Sequence, residues 1–173
     1  MPEIIFFAVG TIFLTILFSG VFYLMIQNLI GVPFVPSSSS RLVRALKESG
    51  FTPDKYPSLL DLGSGDGRIA IRAGLAGYKA TGVETNPYLL VISRIFNKVL
   101  GNRAHLKYQD MYKADLSEHD IVYAYLLPKA LDRLEAGFAQ GNKPRVLVTN
   151  TFKLKGMEPN EVVDKIYYVY KLK

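Results

Sequence analysis

Four carboxylates and three glycines in this sequence have the types and spacing of a site for a small charged ligand. The run Asp61-Leu62-Gly63-Ser64-Gly65-Asp66-Gly67 sets an acid at the end of an apolar stretch and glycines at alternate positions after it. Glycine is required there if a ligand is to come within contact of the backbone, where a Cβ would collide. Glu84 stands 23 residues after Asp61 (84 minus 61), at the end of a second apolar stretch. A carboxylate at that place can accept both hydroxyls of a ribose. Asp110 follows a third such stretch, where it suits the amino group of an adenine, and Met111 beside it offers the ring an apolar contact. Asn86 reads first as a helix cap and second as a ligand contact.

The pattern discriminates between ligands. A dinucleotide fingerprint, G-x-G-x-x-G, would need glycine at position 68, and it sets a pyrophosphate against a helix N-terminus. Arg68 breaks it. Asp61, Asp66, Glu84 and Asp110 are expected to converge on one crevice, where together they would repel a pyrophosphate. S-adenosylmethionine carries no phosphate but does carry a sulfonium and an ammonium, so it suits the same acids. The expected cofactor contacts are therefore Asp61, Gly63, Gly65, Asp66, Gly67, Glu84, Asn86, Asp110 and Met111. The reacting methyl group should face the segment Asp120 to Pro128. Amino-methyltransferases of adenine or glutamine commonly have Asn-Pro-Pro-aromatic there; Tyr125-Leu126-Leu127-Pro128 argues against those substrates. Tyr125 is the candidate catalytic residue, because an aromatic face stabilises a sulfonium or an incoming amine; its competing role is core packing. His105 and His119 lack metal-ligand spacing and read as structural, so no metal is expected. The chain has no cysteine, which removes disulfides, thiol nucleophiles and thiolate metal sites.

These residues need a sheet to hold them. From residue 58 onward, short apolar runs alternate with helical patterns, the signature of an α/β Rossmann-like fold: a mostly parallel sheet with helices on both faces. Strands are expected at Leu59 to Leu62, Lys79 to Val83, Ala104 to Tyr108, Ile121 to Leu126 and Arg145 to Thr149. Helices are expected from Arg68 to Ala76, from Pro87 (capped by Asn86) to Gly101, and from Pro128 to about Gln140. The tail, Val162 to Leu172, reads as a last strand or a hairpin. Arg41 to Ser49 reads as a basic amphipathic helix that either lies on a membrane surface or packs on the domain.

The first third differs in character. Ile4 to Ile26 is uncharged and apolar but for a few Thr, Ser and Gly residues, long enough for one transmembrane helix. A cleaved signal peptide is disfavoured because no basic segment precedes the run and no small-x-small site follows it. Ala8, Thr11, Thr15 and Ser19 form a stripe that either packs on another helix or bonds its own backbone. The expected organisation is an anchor at 1-30, a Pro- and Ser-rich linker at 31-40 and a domain at 41-173. Arg41, Arg44 and Lys47 after the helix put that domain on the cytoplasmic side. Of 15 acids only Glu3 precedes residue 41 and no Lys or Arg does, so the rest carries 21 minus 14, or +7. The expected partner of that charge is a lipid bilayer; no nucleic-acid motif accompanies it.

The stretches DLGSGDGR (61-68), GVETNP (82-87) with Ser93-Arg94, and DMYKADLS (110-117) resemble a family: the membrane-anchored protein-lysine methyltransferases that act on the c-ring protein of ATP synthase and the adenine nucleotide translocase, with their prokaryotic relatives. The resemblance covers about residues 55 to 150 and implies a seven-strand class I S-adenosylmethionine fold, methyl transfer to a lysine amine and a membrane-protein substrate. Thr85 departs from the family's usual leucine, and Thr151-Phe152-Lys153-Leu154 lacks its proline-rich, tryptophan-containing stretch. Two rival functions stay open: methylation of a small molecule, lipid or quinone, and a catalytically silent membrane adaptor.

Overall fold

The computed structural model describes residues 2–30, 37–141 and 144–172. The chain forms two compact units, Met1–Val35 and Pro36–Lys173.

In the first unit, α1 (Pro2–Ile30) is a single helix, and its segment Pro2–Tyr23 is long and apolar enough to cross a membrane. At 1.5 Å per residue that segment measures roughly 33 Å. Thr11 donates to the Phe7 carbonyl, Thr15 to that of Thr11 and Ser19 to that of Ile16, at 2.8–2.9 Å. The small-residue stripe thus satisfies its hydroxyls within its own helix.

The second unit is a sheet with helices on both faces. Its strands are β1 (Ser58–Leu62), β2 (Lys79–Glu84), β3 (His105–Tyr108), β4 (Ile121–Ala124), β5 (Val146–Asn150), β6 (Glu161–Val163) and β7 (Tyr167–Lys171). They lie in the order β3-β2-β1-β4-β5-β7-β6, parallel except for β7, which runs antiparallel between β5 and β6. The tail is therefore the hairpin of the two expected forms. The chain builds outward from β1 to β3 on one side and from β4 onward on the other, and this switch between β1 and β4 opens a crevice at their carboxyl ends.

Alternation along each strand divides the core. Leu59, Ala80, Ile121, Tyr123, Val146 and Val148 face α2 (Ser39–Glu48) and α3 (Arg68–Leu75). Leu60, Leu62, Val83, Val122 and Leu147 face α5 (Pro128–Ala136). The fourth helix, α4 (Pro87–Val99), packs along β2 and β3. At the amino edge, Asp120 accepts from the Ser58 amide and hydroxyl (3.1 and 2.8 Å) and from Arg145 (3.1 Å), tying the starts of β1, β4 and β5 together.

The basic helix packs on the domain: Leu42 and Leu46 are 1% and 2% exposed. It starts two residues before Arg41, at Ser39, and residues 31–36 of the expected linker lie outside the described residues. Its end is a Schellman motif. Gly50 has φ +79°, its amide donates to Lys47, and the Phe51 amide reaches back to Leu46 at 2.8 Å. Three expected elements end two or more residues before their sequence patterns, α4 among them at Val99. Strand β4 stops at Ala124, although Leu126 stays buried, and α5 gives way to a 3-10 turn at Gly137, where glycine weakens a helix.

Candidate functional site

The turn between β1 and α3 is built on left-handed backbone: φ is +68° at Gly63, +56° at Gly65 and +78° at Gly67. At Gly67 a second constraint applies, since a Cβ would lie 2.7 Å from the Cβ of Ser93 on α4. Ser93 is fully buried and donates to the Leu90 carbonyl at 2.8 Å. The missing side chain therefore lets α4 close on the start of α3.

Glu84 fastens this turn to β2. Its Oε2 accepts from the Gly65 amide (2.8 Å), and its Oε1 from the amides of Thr85 (2.8 Å) and Asn86 (2.7 Å). Asn86 in turn caps α4, its Oδ1 accepting from Tyr88 and Leu89 at 3.0 and 3.2 Å. The carboxylate thus sits directly over the glycine turn, held by three amides.

Asp61 is the anomaly of the edge. It is 3% exposed, and its Oδ2 has no hydrogen-bond partner. Burial, reinforced by the charges of Glu84 and Asp66 and eased by the Ala70 amide, pushes its pKa up to about 8. A buried carboxyl in this condition is either neutral or waiting for a cation. Left-handed glycines in front of an orphaned acid fit a cationic, phosphate-free ligand.

The other two acids behave differently. Asp66 is paired with Arg68, whose Nε lies 2.9 and 3.0 Å from its two oxygens. Arg68, which breaks the dinucleotide pattern, thus also offsets one of the four charges. Asp110 caps a 3-10 turn (Met111–Lys113) by accepting from the Tyr112 amide at 3.0 Å, and Met111 packs half-buried against the α5 side of the core. Tyr125, just past β4, is half-buried against the α2–α3 side. His105 and His119 belong to the amino ends of β3 and β4, the opposite edge of the sheet.

One polar group at this edge escaped the sequence reading. Tyr123 is the register partner of Asp61 on the neighbouring strand and is 1% exposed. Asn150, at the end of β5, donates to its hydroxyl at 2.9 Å and accepts from Thr151 Oγ1 at 3.0 Å. Burial raises the Tyr123 phenol, while hydrogen bonds to Asn150 and Ser37 oppose the rise. Thr151 itself has φ +68°, left-handed backbone in a β-branched residue, a strain that needs support from its surroundings. The period-2 alternation of Ile121, Tyr123 and Tyr125 could have flagged Tyr123 as sharing a face with Tyr125, though not its pairing with Asp61.

Comparison with known proteins gives this edge its context. The Salinibacter ruber RNA methyltransferase, solved in complex with S-adenosyl-L-homocysteine, matches with a TM-score of 0.70 and 28% identity, over 80% of this chain and 94% of that one. The lysine N-methyltransferase of the ATP synthase c-subunit from Rattus norvegicus is 32% identical over 106 residues, 60% of this chain and 48% of its own length. A protein-lysine N-methyltransferase of Saccharolobus islandicus is 30% identical over 137 residues, 76% of this chain and 84% of its own. The chain thus spans about half the length of the ATP synthase relatives it matches. The ANTKMT methyltransferase domain matches residues 61–161, beginning at the orphaned Asp61 and running through the glycine turn, Glu84, Asp110 and the Tyr123–Asn150 pair. With the class I methyltransferase sheet order beneath those residues, the chain belongs to the ANTKMT methyltransferase domain family.

Proposed function

We propose that this protein binds S-adenosylmethionine at the carboxyl edge of its sheet and methylates a lysine of a membrane protein at the membrane surface. The observation that carries the reading is Asp61: a buried carboxyl with one unpartnered oxygen, behind a left-handed glycine turn, gains most from a ligand that brings an ammonium. The names of the relatives support lysine as acceptor, and the ATP synthase component named in one of them supports a membrane protein. The apolar α1, the +7 charge beyond residue 40 and Arg41, Arg44 and Lys47 support a single-pass anchor at 1-30 followed, after a short linker, by a domain on the cytoplasmic side whose first helix begins at Ser39.

S-adenosylmethionine supplies a methyl group already activated on a sulfonium. The protein's share is binding and orientation. Asp61 would pair with the ammonium, Glu84 would accept from a ribose hydroxyl at the lone-pair site that its three amide bonds leave open, and Asp110 would accept from the adenine amino group beside Met111. Tyr125 offers its ring face to the cationic centre and the approaching amine. The lysine attacks in its neutral form, which a desolvated site favours over its reference pKa of about 10.4. The methyl group would pass from sulfur to nitrogen, the C–S electron pair staying on the sulfur of the leaving S-adenosylhomocysteine, and the methylated ammonium would lose its extra proton to bulk water.

Incubating membranes that contain the protein with cofactor carrying a labelled methyl group tests this. Label is expected in a protein band that withstands lipid extraction and nuclease, and is lost with Asp61→Ala. Label in the lipid extract or in RNA would reject the lysine reading; absence of label, with no thermal stabilisation by S-adenosylhomocysteine, would reject the enzyme.

A further inference from the structure

The outer face of α4 is apolar where a water-facing helix should be polar. Val91, Ile95 and Val99 are 55%, 55% and 77% exposed, and Ile92, Phe96 and Leu100 are 36%, 49% and 55% exposed beside them. Their spacing of three and four residues makes one continuous stripe, while Leu89, Leu90 and Ser93 take the inward face. A contiguous patch of this kind marks a contact surface. Its charge setting is one-sided: from Pro87 to Tyr108 the sequence contains no Asp or Glu, and Arg94, Lys98, Arg103 and Lys107 all fall within it.

We infer that the outer face of α4 docks on an anionic lipid surface. An apolar stripe whose own helix and the strand after it carry four cations and no acid has the composition of an interfacial helix, which buries its apolar side among acyl chains while its basic residues meet headgroup phosphates. A second copy seated on this face would bring Arg94 and Lys98 against their own counterparts, a like-charge contact that opposes self-association, whereas anionic headgroups would offset them. The point of chain entry agrees: Ser37 to Ser40, the first described residues of this unit, line the same surface depression of about 410 Å³ as Phe96 and Leu100, where the one acid, Asp66, is paired with Arg68. The inference rests on the membrane reading given above and extends it from an anchor to an orientation, since docking through α4 fixes which side of the domain faces the lipid.

The chain lacks cysteine, so single reporters can be introduced cleanly. Full-length protein carrying an environment-sensitive fluorophore at Val99→Cys, or at Lys129→Cys on α5, is reconstituted into phosphatidylcholine vesicles with and without phosphatidylserine. The label at 99 is expected to shift to the blue only with phosphatidylserine, to return in high salt and to be independent of protein concentration, while the label at 129 does not move. Each basic residue near such a surface is worth roughly fivefold, so Lys98→Gln with Arg103→Gln should lower the docked-to-undocked ratio by about 25-fold. A shift at 99 that is equal in both vesicles, one that grows with protein concentration, or none at all would overturn the inference; the second pattern would identify another copy as the occupant. Flotation separates the two readings. A chain that floats without the shift keeps its anchor and loses the docking face, and a chain that does not float with either vesicle loses both.

Discussion

Cofactor binding should release a proton, because Asp61 is mostly neutral in the free protein at pH 7. With its pKa near 8, about ten molecules in eleven carry the proton at that pH. An ammonium ligand needs the carboxylate, so the apparent affinity is reduced by the ionised fraction. That fraction is about 1 in 100 at pH 6 and one half at pH 8, which predicts that Kd for S-adenosylhomocysteine falls about 50-fold across the interval. Calorimetry at pH 7 in buffers of different ionisation enthalpy should report about 0.9 proton released per ligand bound. Asp61→Asn should bind weakly with no proton release and a flat profile. Stability of the free protein should run the other way. The folded pKa lies above that of an unfolded aspartate, about 3.9, so the folded state holds the extra proton between roughly pH 4 and 8 and loses about 1.4 kcal/mol per unit as pH rises through that window. Asp61→Asn removes the slope and should melt higher than the wild type by a margin that widens toward pH 8. A Kd that stays flat from pH 6 to 8, with heats independent of buffer, would refute the argument that burial holds Asp61 neutral.

Gly67→Ala forces a methyl group to within 2.7 Å of Ser93 at φ +78°, so the urea midpoint should fall by the equivalent of about 1–3 kcal/mol; Ser93→Gly should recover part of the loss, because it relieves the contact and leaves the backbone strain. Glu84→Gln substitutes one amide oxygen for two carboxylate oxygens that accept three amides, and thermal-shift titration should show at least a tenfold weaker response to S-adenosylhomocysteine from a protein that remains folded. Tyr125→Ala should lower kcat by about tenfold or more with little change in KM for the cofactor, whereas a loss confined to melting temperature would assign Tyr125 to the core.

The sequence carried the scaffold well because the scaffold is local. Asn86-Pro87 announces a helix start, Gly50-Phe51 a helix stop, and the alternation of Leu59 to Leu62 or Val146 to Val148 a two-sided strand. The acids at the strand ends were legible for the same reason, since each depends only on its own strand. Partnerships across the sheet were not. Tyr123 and Asn150 are 27 residues apart and meet only because β4 and β5 pair in one register. Period-2 reasoning sets Tyr123 and Tyr125 on one face and cannot say which of them the neighbouring strand covers. The different fates of Asp61 and Asp66 were hidden likewise. Both look like site acids in sequence, and only folding shows that Arg68 claims one and burial isolates the other.

The position of β7 bears on how the protein is made. It lies between β5 and β6 and contributes Tyr167, Val169 and Tyr170 to the interior, yet it follows both strands in the chain. At a translation rate of about 5–20 residues per second, residues 151 to 171 take roughly one to four seconds to follow β5 out of the peptidyl transferase centre. Once β5 has left the exit tunnel and paired with β4, its other edge has no partner until β7 follows and is open to any other extended chain nearby. The nascent domain therefore has a window of vulnerability that closes only when the hairpin emerges and inserts, and slower emergence of the hairpin should lengthen it and favour chaperone capture or aggregation.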